Sequence, residues 1–329
     1  MPRTQTLRGT IMVPSFSLEQ PPKNWPDLSG QTGIVTGSYT TLGYECAERL
    51  LSNNLSHLII TACDWKQGRE RVSKLSCRFP DAYIEVWLLH MLSYESVEQF
   101  ARKCDSLDQI DFVIITADIV CTDFTINPST QHETTFQVNY LTTILLTMLL
   151  LPILKLKHGP KRPGRITLVC SSLALAAKFP DRKANALLAA LDDPQPWTSP
   201  ERYAATKLLL LMFLIKLKDH VDPREVVLNI ADPDFHQEDP FDDLRPCVVL
   251  NTRAETVVHA AIAQPACTHG SWVSHWGVRP FPSLMYTVDG KELMERLWTE
   301  TIIELQGTGA GRILAPLRYS PLRLGLYME

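Results

Sequence analysis

Apolar residues in this chain fall into short unbroken runs, separated by longer stretches in which they recur every three or four places. The runs at 32–36, 57–62, 83–89, 112–116, 166–170 and 226–230 read as strands, with a seventh expected at 270–273. Helical spacing occupies 42–51, 66–79, 93–105 and 131–157. Near the C-terminus, Leu293, Leu297 and Thr301, flanked by Met294, Trp298 and Ile302, form the stripe of a packing helix. Strand and helix alternate, and the strands are too uniformly apolar to have one wet face. The pattern predicts an α/β fold: a three-layer, doubly wound parallel sheet of Rossmann type.

Length alone allows two average domains, but the alternation runs without a break. The division that follows is a single Rossmann-type domain over 27–306, a Pro-rich N-terminal extension over 1–26, and a Gly- and Pro-punctuated C-terminal tail over 307–329 with no assigned fold. The apolar run 141–154 resembles a membrane span, but it holds three threonines and Pro152 within fourteen residues, whereas crossing a bilayer takes about 20 apolar ones. It reads as a helix buried on the sheet. The run 208–215 is apolar on all sides, which predicts burial on more than one face.

Composition narrows the partners. With 45% hydrophobic residues, 21% charged and a net charge of -4, the chain can fill a large core and has no basic excess for nucleic acid, so a small-molecule partner is expected. Eight scattered cysteines show neither zinc-site nor disulfide spacing, and the N-terminus lacks a basic start followed by a long apolar core. Both point to a cytoplasmic setting. The nine histidines show no metal-site pairing, so no metal is expected. The acidic stretch from Asp232 to Asp243, including Asp234, Glu238, Asp239 and Asp242, lacks a calcium-loop pattern and reads as a solvated lid over a substrate.

Candidate chemistry centres on Tyr203 and Lys207, four residues apart at the start of an apolar helix and therefore on one face. A neighbouring ammonium favours the phenolate and brings a phenol of ordinary pKa about 10 toward use in proton exchange with an alcohol or carbonyl. Upstream, the first strand feeds a turn from Gly37 to Gly43 that opens a helix, the arrangement that offers backbone N–H groups to a phosphate.

From Asp27 to Leu305 the chain resembles the short-chain dehydrogenase/reductase family, and within it the fungal retinol-dehydrogenase-like branch. The resemblance is carried by Asp27 to Gly30 before the first strand, Thr36 with Gly37 and Leu42 with Gly43 in the turn, Val138 with Asn139, the serine-ended fifth strand, and Tyr203 with Lys207. Trp197, Arg202, His269 with Gly270, and Trp298 fit the fungal branch. The resemblance implies that Tyr203 donates or accepts the proton, while Lys207 lowers its pKa and holds the nicotinamide ribose. Ser171, with Ser172 as second choice, would hold the substrate oxygen, and Asn139 would order a water in the proton relay. It also implies NADP, or NAD as the alternative, against Gly37, Thr41, Leu42, Gly43, Cys63, Asp64, His90, Ala117, Lys207 and Pro233. The helix containing 208–215 and the long one before it often form a dimer face in this family, so a homodimer is one expectation, and a monomer covered by the terminal extensions is the other.

Departures from the family pattern gather on the cofactor side. Thr41 stands where the family has its middle glycine, Cys63 where NADP enzymes often carry an arginine, His90 where an aspartate contacts adenine, and Asp118 and Asp234 where two glycines line the cofactor. Asp64 alone leans toward NAD, while Lys66 or Arg69 could replace the missing arginine. The leading expectation is an NAD(P)-dependent reductase or alcohol dehydrogenase of an apolar secondary-metabolite intermediate. The alternatives are a non-redox isomerase, dehydratase, epimerase or cyclase on the same frame, and, less favoured, a non-catalytic binding protein.

Overall fold

Along the strand Phe112–Ile115 (β4), Phe112 and Ile114 enter one hydrophobic core while Val113 and Ile115 enter another. The same alternation holds in Thr32–Val35 (β1) and His57–Ala62 (β2), as a sheet covered on both faces requires. The computed structural model describes residues 22–159, 162–233 and 248–314. The remaining strands are Tyr83–Leu88 (β3), Gly164–Val169 (β5), Val226–Ala231 (β6), Trp272–Ser274 (β7) and Gly277–Arg279 (β8). They form one eight-stranded sheet in the order β3-β2-β1-β4-β5-β6-β7-β8, parallel throughout except for the antiparallel pair β7 and β8.

One core is shared with the helices Thr41–Leu51 (α1), Trp65–Arg78 (α2) and, from Ala254 onward, Val248–Ile262 (α8). The other is shared with Tyr94–Asp105 (α3), Thr143–Lys157 (α5), Ser199–Leu217 (α7) and Val288–Leu305 (α9). Three short helices, Thr134–Phe136 (α4), Leu187–Leu191 (α6) and Gly311–Leu314 (α10), complete the set. The apolar helix spanning Thr134–Lys157 has 89% of its most apolar window buried inside the protein, as the sequence predicts. Within it, residues Gln137–Thr142 adopt π-helical geometry, a local widening often found at functional sites.

The all-round apolar run in α7 is buried from two sides. It packs on the π-helical turn beneath it, and α9 lies over it, so that from Leu208 to Leu214 every side chain is buried and only Ile215 is partly open. On α7, then, the chain's own C-terminal helix covers part of the face expected to meet a second subunit, while on α5 Leu156 is 76% exposed. Trp298 of α9 stacks on Phe213 at 4.7 Å and on His220 at 5.2 Å, which anchors this cover.

Two details differ from expectation. The seventh strand begins at Trp272 rather than at 270, because Gly270 turns the chain with φ +76 directly over the aliphatic stem of Lys218. β8 is unforeseen. It joins β7 through His275 and Trp276, both at positive φ (46 and 69), in a two-residue hairpin loop that sequences usually announce with Asn-Gly or Asp-Gly. The C-terminal tail, to which the sequence reading assigns no fold, contributes α10, beside a buried Ala310 and a bond from Gly309 N–H to Glu98 at 2.7 Å.

Candidate active site

The sheet order reverses between β1 and β4, and the crevice beyond the carboxyl ends of such strands is where ligands bind in open α/β sheets. Tyr203 and Lys207, one turn apart near the start of α7, reach this crevice and are buried, with 8% and 2% exposure. The Lys207 ammonium lies 2.8 Å from Oδ2 of Asp118, in the segment after β4, and donates to the Val169 carbonyl at 3.3 Å. The Tyr203 hydroxyl donates to that same Oδ2 at 3.0 Å. Phenol and ammonium thus converge on a single carboxylate oxygen, while Nζ sits 5.2 Å from the centre of the tyrosine ring.

This geometry corrects one expectation. Lys207 does not bring the Tyr203 phenol down toward neutrality; burial, and after it the charge and hydrogen bond of Asp118, hold it well above its ordinary value of 10. Burial denies the phenolate its solvation, and Asp118 offsets the lysine charge at the point where the phenol would feel it. Cys170 and Asp232 push the same way. Tyr39, in the glycine turn, is also raised, to about 12, by burial and then by Cys63 and Asp118.

Asn139 sits in the π-helical turn with its amide spent on the segment that carries Asp118. Its Oδ1 accepts from Ile119 N–H and its Nδ2 donates to the Ile119 carbonyl, both at 2.8 Å. Ser171, at the end of β5, is fully buried, and its hydroxyl accepts from Leu173 N–H at 3.2 Å as the cap of a 3-10 turn over Ser172–Leu175. Ser172 opens that turn and is partly exposed.

The phosphate turn keeps its tight form. Gly37 has φ +65, and a Cβ there would sit 2.7 Å from Thr116 Oγ1 and 2.8 Å from Ala117 N, while one on Gly43 would sit 2.5 Å from the Gly37 carbonyl. Thr40 caps α1 through Gly43 N–H, which leaves the first-turn N–H groups of Thr41 and Leu42 without intrahelical acceptors. The Thr41 side chain is exposed, and the glycines and helix N-terminus fit an anionic pyrophosphate. Ala117 and Pro233 are buried in the crevice wall; Asp234 and the rest of the acidic lid lie outside the described residues.

At the end of β2, Cys63 and Asp64 are exposed, but Asp64 Oδ1 is occupied as the cap of α2, accepting from Lys66 and Gln67 N–H at 2.9 and 3.0 Å. His90 is exposed and is held through its backbone, its N–H donating to Ser96 Oγ and its carbonyl accepting from Ser93 N–H. Sequence reasoning missed Arg71, which reaches from α2 to the Tyr39 carbonyl in the phosphate turn at 3.4 Å and lies 4.7 Å from the Tyr44 ring. It follows Lys66 and Arg69 on the same helix, a basic run that was legible as composition but not as reach.

Charged groups also lock the long interval between Ser172 and Tyr203. Arg202 is 4% exposed and faces the fully buried Glu133 at 3.7 Å and Asp181 at 3.8 Å. Glu133 caps α4 through Phe136 N–H at 2.7 Å, and its own N–H binds Asp192. His132 bridges Asp192 at 2.9 Å and Glu304 of α9 at 3.0 Å. Burial opposes the charge on His132, yet the two carboxylates outweigh it and hold its pKa up at about 9, from 6.5. Because the folded-state value is the higher one, this contribution is complete below pH 6.5 and disappears as the pH rises through about 9. Folding stability should therefore fall over that window by up to about 3 kcal/mol, lowering the thermal midpoint, and His132→Gln should flatten that part of the profile.

The short chain dehydrogenase family model matches residues 31–180. At 37% identity over 315 residues, covering 91% of each chain, the protein is similar to the short chain dehydrogenase/reductase mfmJ of Annulohypoxylon moriforme. The chain belongs to the short-chain dehydrogenase family. Membership makes it an NAD(P)-dependent oxidoreductase of the short-chain type. A second fungal relative, the short chain dehydrogenase virL of Hypocrea virens, is 36% identical over 321 residues, 93% of this chain and 94% of its own. Among solved structures, a short chain dehydrogenase from Mycobacterium smegmatis superposes over 80% of this chain and 99% of its own with a TM-score of 0.58 and 16% identity. One from Escherichia coli, complexed with NADPH, covers 76% of this chain and 98% of its own at 0.54 and 20%. At those identities the likeness is one of fold.

Proposed function

We propose that this short-chain dehydrogenase interconverts a carbonyl and an alcohol on an apolar small molecule, a fungal secondary-metabolite intermediate, with Tyr203 handling the proton. The observation that carries the reading is the burial of Tyr203 and Lys207 beside the cofactor turn, at the carboxyl ends of the strands. The nicotinamide dinucleotide supplies the hydride chemistry when bound; Gly37, Leu42 and Gly43 would receive its pyrophosphate. Ser172 is our choice for the substrate oxygen over Ser171, since a hydroxyl that touches substrate has to be reachable and Ser171 is both buried and engaged as a cap. The segment from Ala174 to Pro200, with the segment after β4, forms the pocket wall in this reading. A cytoplasmic enzyme fits the free cysteines at the described positions.

NADP is the preferred dinucleotide in our reading. Lys66 and Arg69 stand exposed beyond β2 and Arg71 reaches the turn, while Asp64 has one oxygen, Oδ1, held as the cap of α2. Arg71→Ala should weaken NADPH binding about tenfold, the worth of one charge-assisted contact, and leave NADH within about twofold. Fluorescence titration of both dinucleotides checks this. The enzyme is tested by offering a panel of apolar ketones and aldehydes with deuterium-labelled NADPH. A product carrying the label supports redox chemistry.

One observation favours the non-redox alternative: Lys207, assigned to the ribose by resemblance, is engaged by the chain's own Asp118. A substrate converted without dinucleotide, in a Tyr203-dependent way, would decide for that alternative.

A further inference from the structure

Resting on the oxidoreductase reading, we propose that Asp118 is a third catalytic residue, the carboxylate that exchanges a proton with the Tyr203 hydroxyl while holding Lys207. Its Oδ2 accepts from Tyr203 Oη at 3.0 Å and pairs with Lys207 Nζ at 2.8 Å, so one oxygen contacts both groups of the proton centre. The placement is built by the chain around it. Ala117 is buried against the Gly37 turn, and on the other side both backbone polar groups of Ile119 are clamped by Asn139. Lys207 is 2% exposed at its side chain and Asp118 is 28% exposed, so the carboxylate is the member of the trio that faces solvent.

The proton balance is closed within these residues. When a substrate hydroxyl is deprotonated, its O–H bond breaks and a new O–H forms on Tyr203. The proton already on Tyr203 passes to Asp118 Oδ2, and from there to solvent. In the reverse direction a protonated Asp118 resupplies Tyr203 as the phenol gives its proton to the substrate oxygen. The electron pair left on the substrate oxygen is the one that forms the carbonyl, with the hydride taken by the nicotinamide dinucleotide. Lys207 stays charged throughout and keeps Asp118 in place. The other titratable groups around the trio are Cys170 at the end of β5, Asp232 after β6 and Tyr39 from the glycine turn, none of which is hydrogen-bonded to the Tyr203 hydroxyl among the described contacts.

The test combines a spectroscopic and a kinetic measurement on the full chain. Tyrosinate absorbance is titrated with pH in the ligand-free wild type, Asp118→Asn, Tyr203→Phe and the double variant. Removing the carboxylate charge should make one tyrosine ionise about one pH unit or more lower, and that step should be missing from the double variant. With dinucleotide, Asp118→Ala should oxidise the alcohol about tenfold or more slowly, and added formate, but not chloride, should restore part of the rate. Superimposable titrations of wild type and Asp118→Asn, or a rate in Asp118→Ala that is unchanged or deaf to formate, would overturn the proposal. If Tyr203→Phe is inactive while Asp118→Ala is not, the oxidoreductase reading stands and this inference falls. If the wild type converts no alcohol or carbonyl at all, that reading falls, and the titration still decides whether Asp118 governs Tyr203.

Discussion

Tyr203→Phe should keep the fold and lower turnover by two to four orders of magnitude, about the range that positioned acid-base groups contribute. The substitution removes one hydroxyl whose only described partner is Asp118, so the thermal midpoint should move little. Its effect belongs in kcat rather than KM, because the phenol acts on the oxygen that changes protonation. Lys207→Ala should do comparable damage for a second reason: it leaves the Asp118 carboxylate beside a buried phenol without its counter-charge. Steady-state kinetics beside a melting curve separate these outcomes from misfolding. Turnover near the wild-type level in Tyr203→Phe would remove the phenol from the mechanism.

Arg202→Met should produce the largest loss of stability in the molecule, about 3–5 kcal/mol, by stranding a buried charge. Glu133 is fully buried, and Arg202 is the cation facing it; their 3.7 Å separation is an ion pair without a direct hydrogen bond. The methionine fills the arginine stem's volume, so the loss reports charge rather than a cavity. Glu133→Gln in the same chain should recover a good part of it, whereas two independent sites would simply add. Because Arg202 adjoins Tyr203 and ties the preceding interval to α4, residual folded protein should also be less active. Equal stability of single and double variants would contradict this picture.

The layers of the fold are legible in the sequence because short apolar runs and helical stripes alternate without ambiguity, and burial on both faces makes the runs uniform. The β7–β8 hairpin is not, since His275 and Trp276 take positive φ with no glycine or asparagine to announce it. Tyr203 and Lys207 can be paired from spacing alone. Asp118 can be recognised as a departure from a family glycine, but its effect on them cannot, because it arrives from a segment 85 residues away in sequence. Sequence suggests that a lysine beside a tyrosine lowers its pKa; burial first, and then the third charge, reverse the outcome. Arg71 escapes for a similar reason, its reach to the phosphate turn depending on how α2 packs on the sheet.

The presence of Asp118 and Thr41 beside the retained Gly37 and Gly43 makes dinucleotide binding the property on which the rest depends. The most direct measurement is a titration of the pure, full-length protein with NADPH and NADH, followed by nicotinamide fluorescence and by the shift of the melting curve. Saturable NADPH binding in the micromolar range, about 8 kcal/mol, with weaker NADH binding, is the expected result. Binding of neither dinucleotide up to about millimolar concentration, about 4 kcal/mol, would contradict the oxidoreductase assignment of this site.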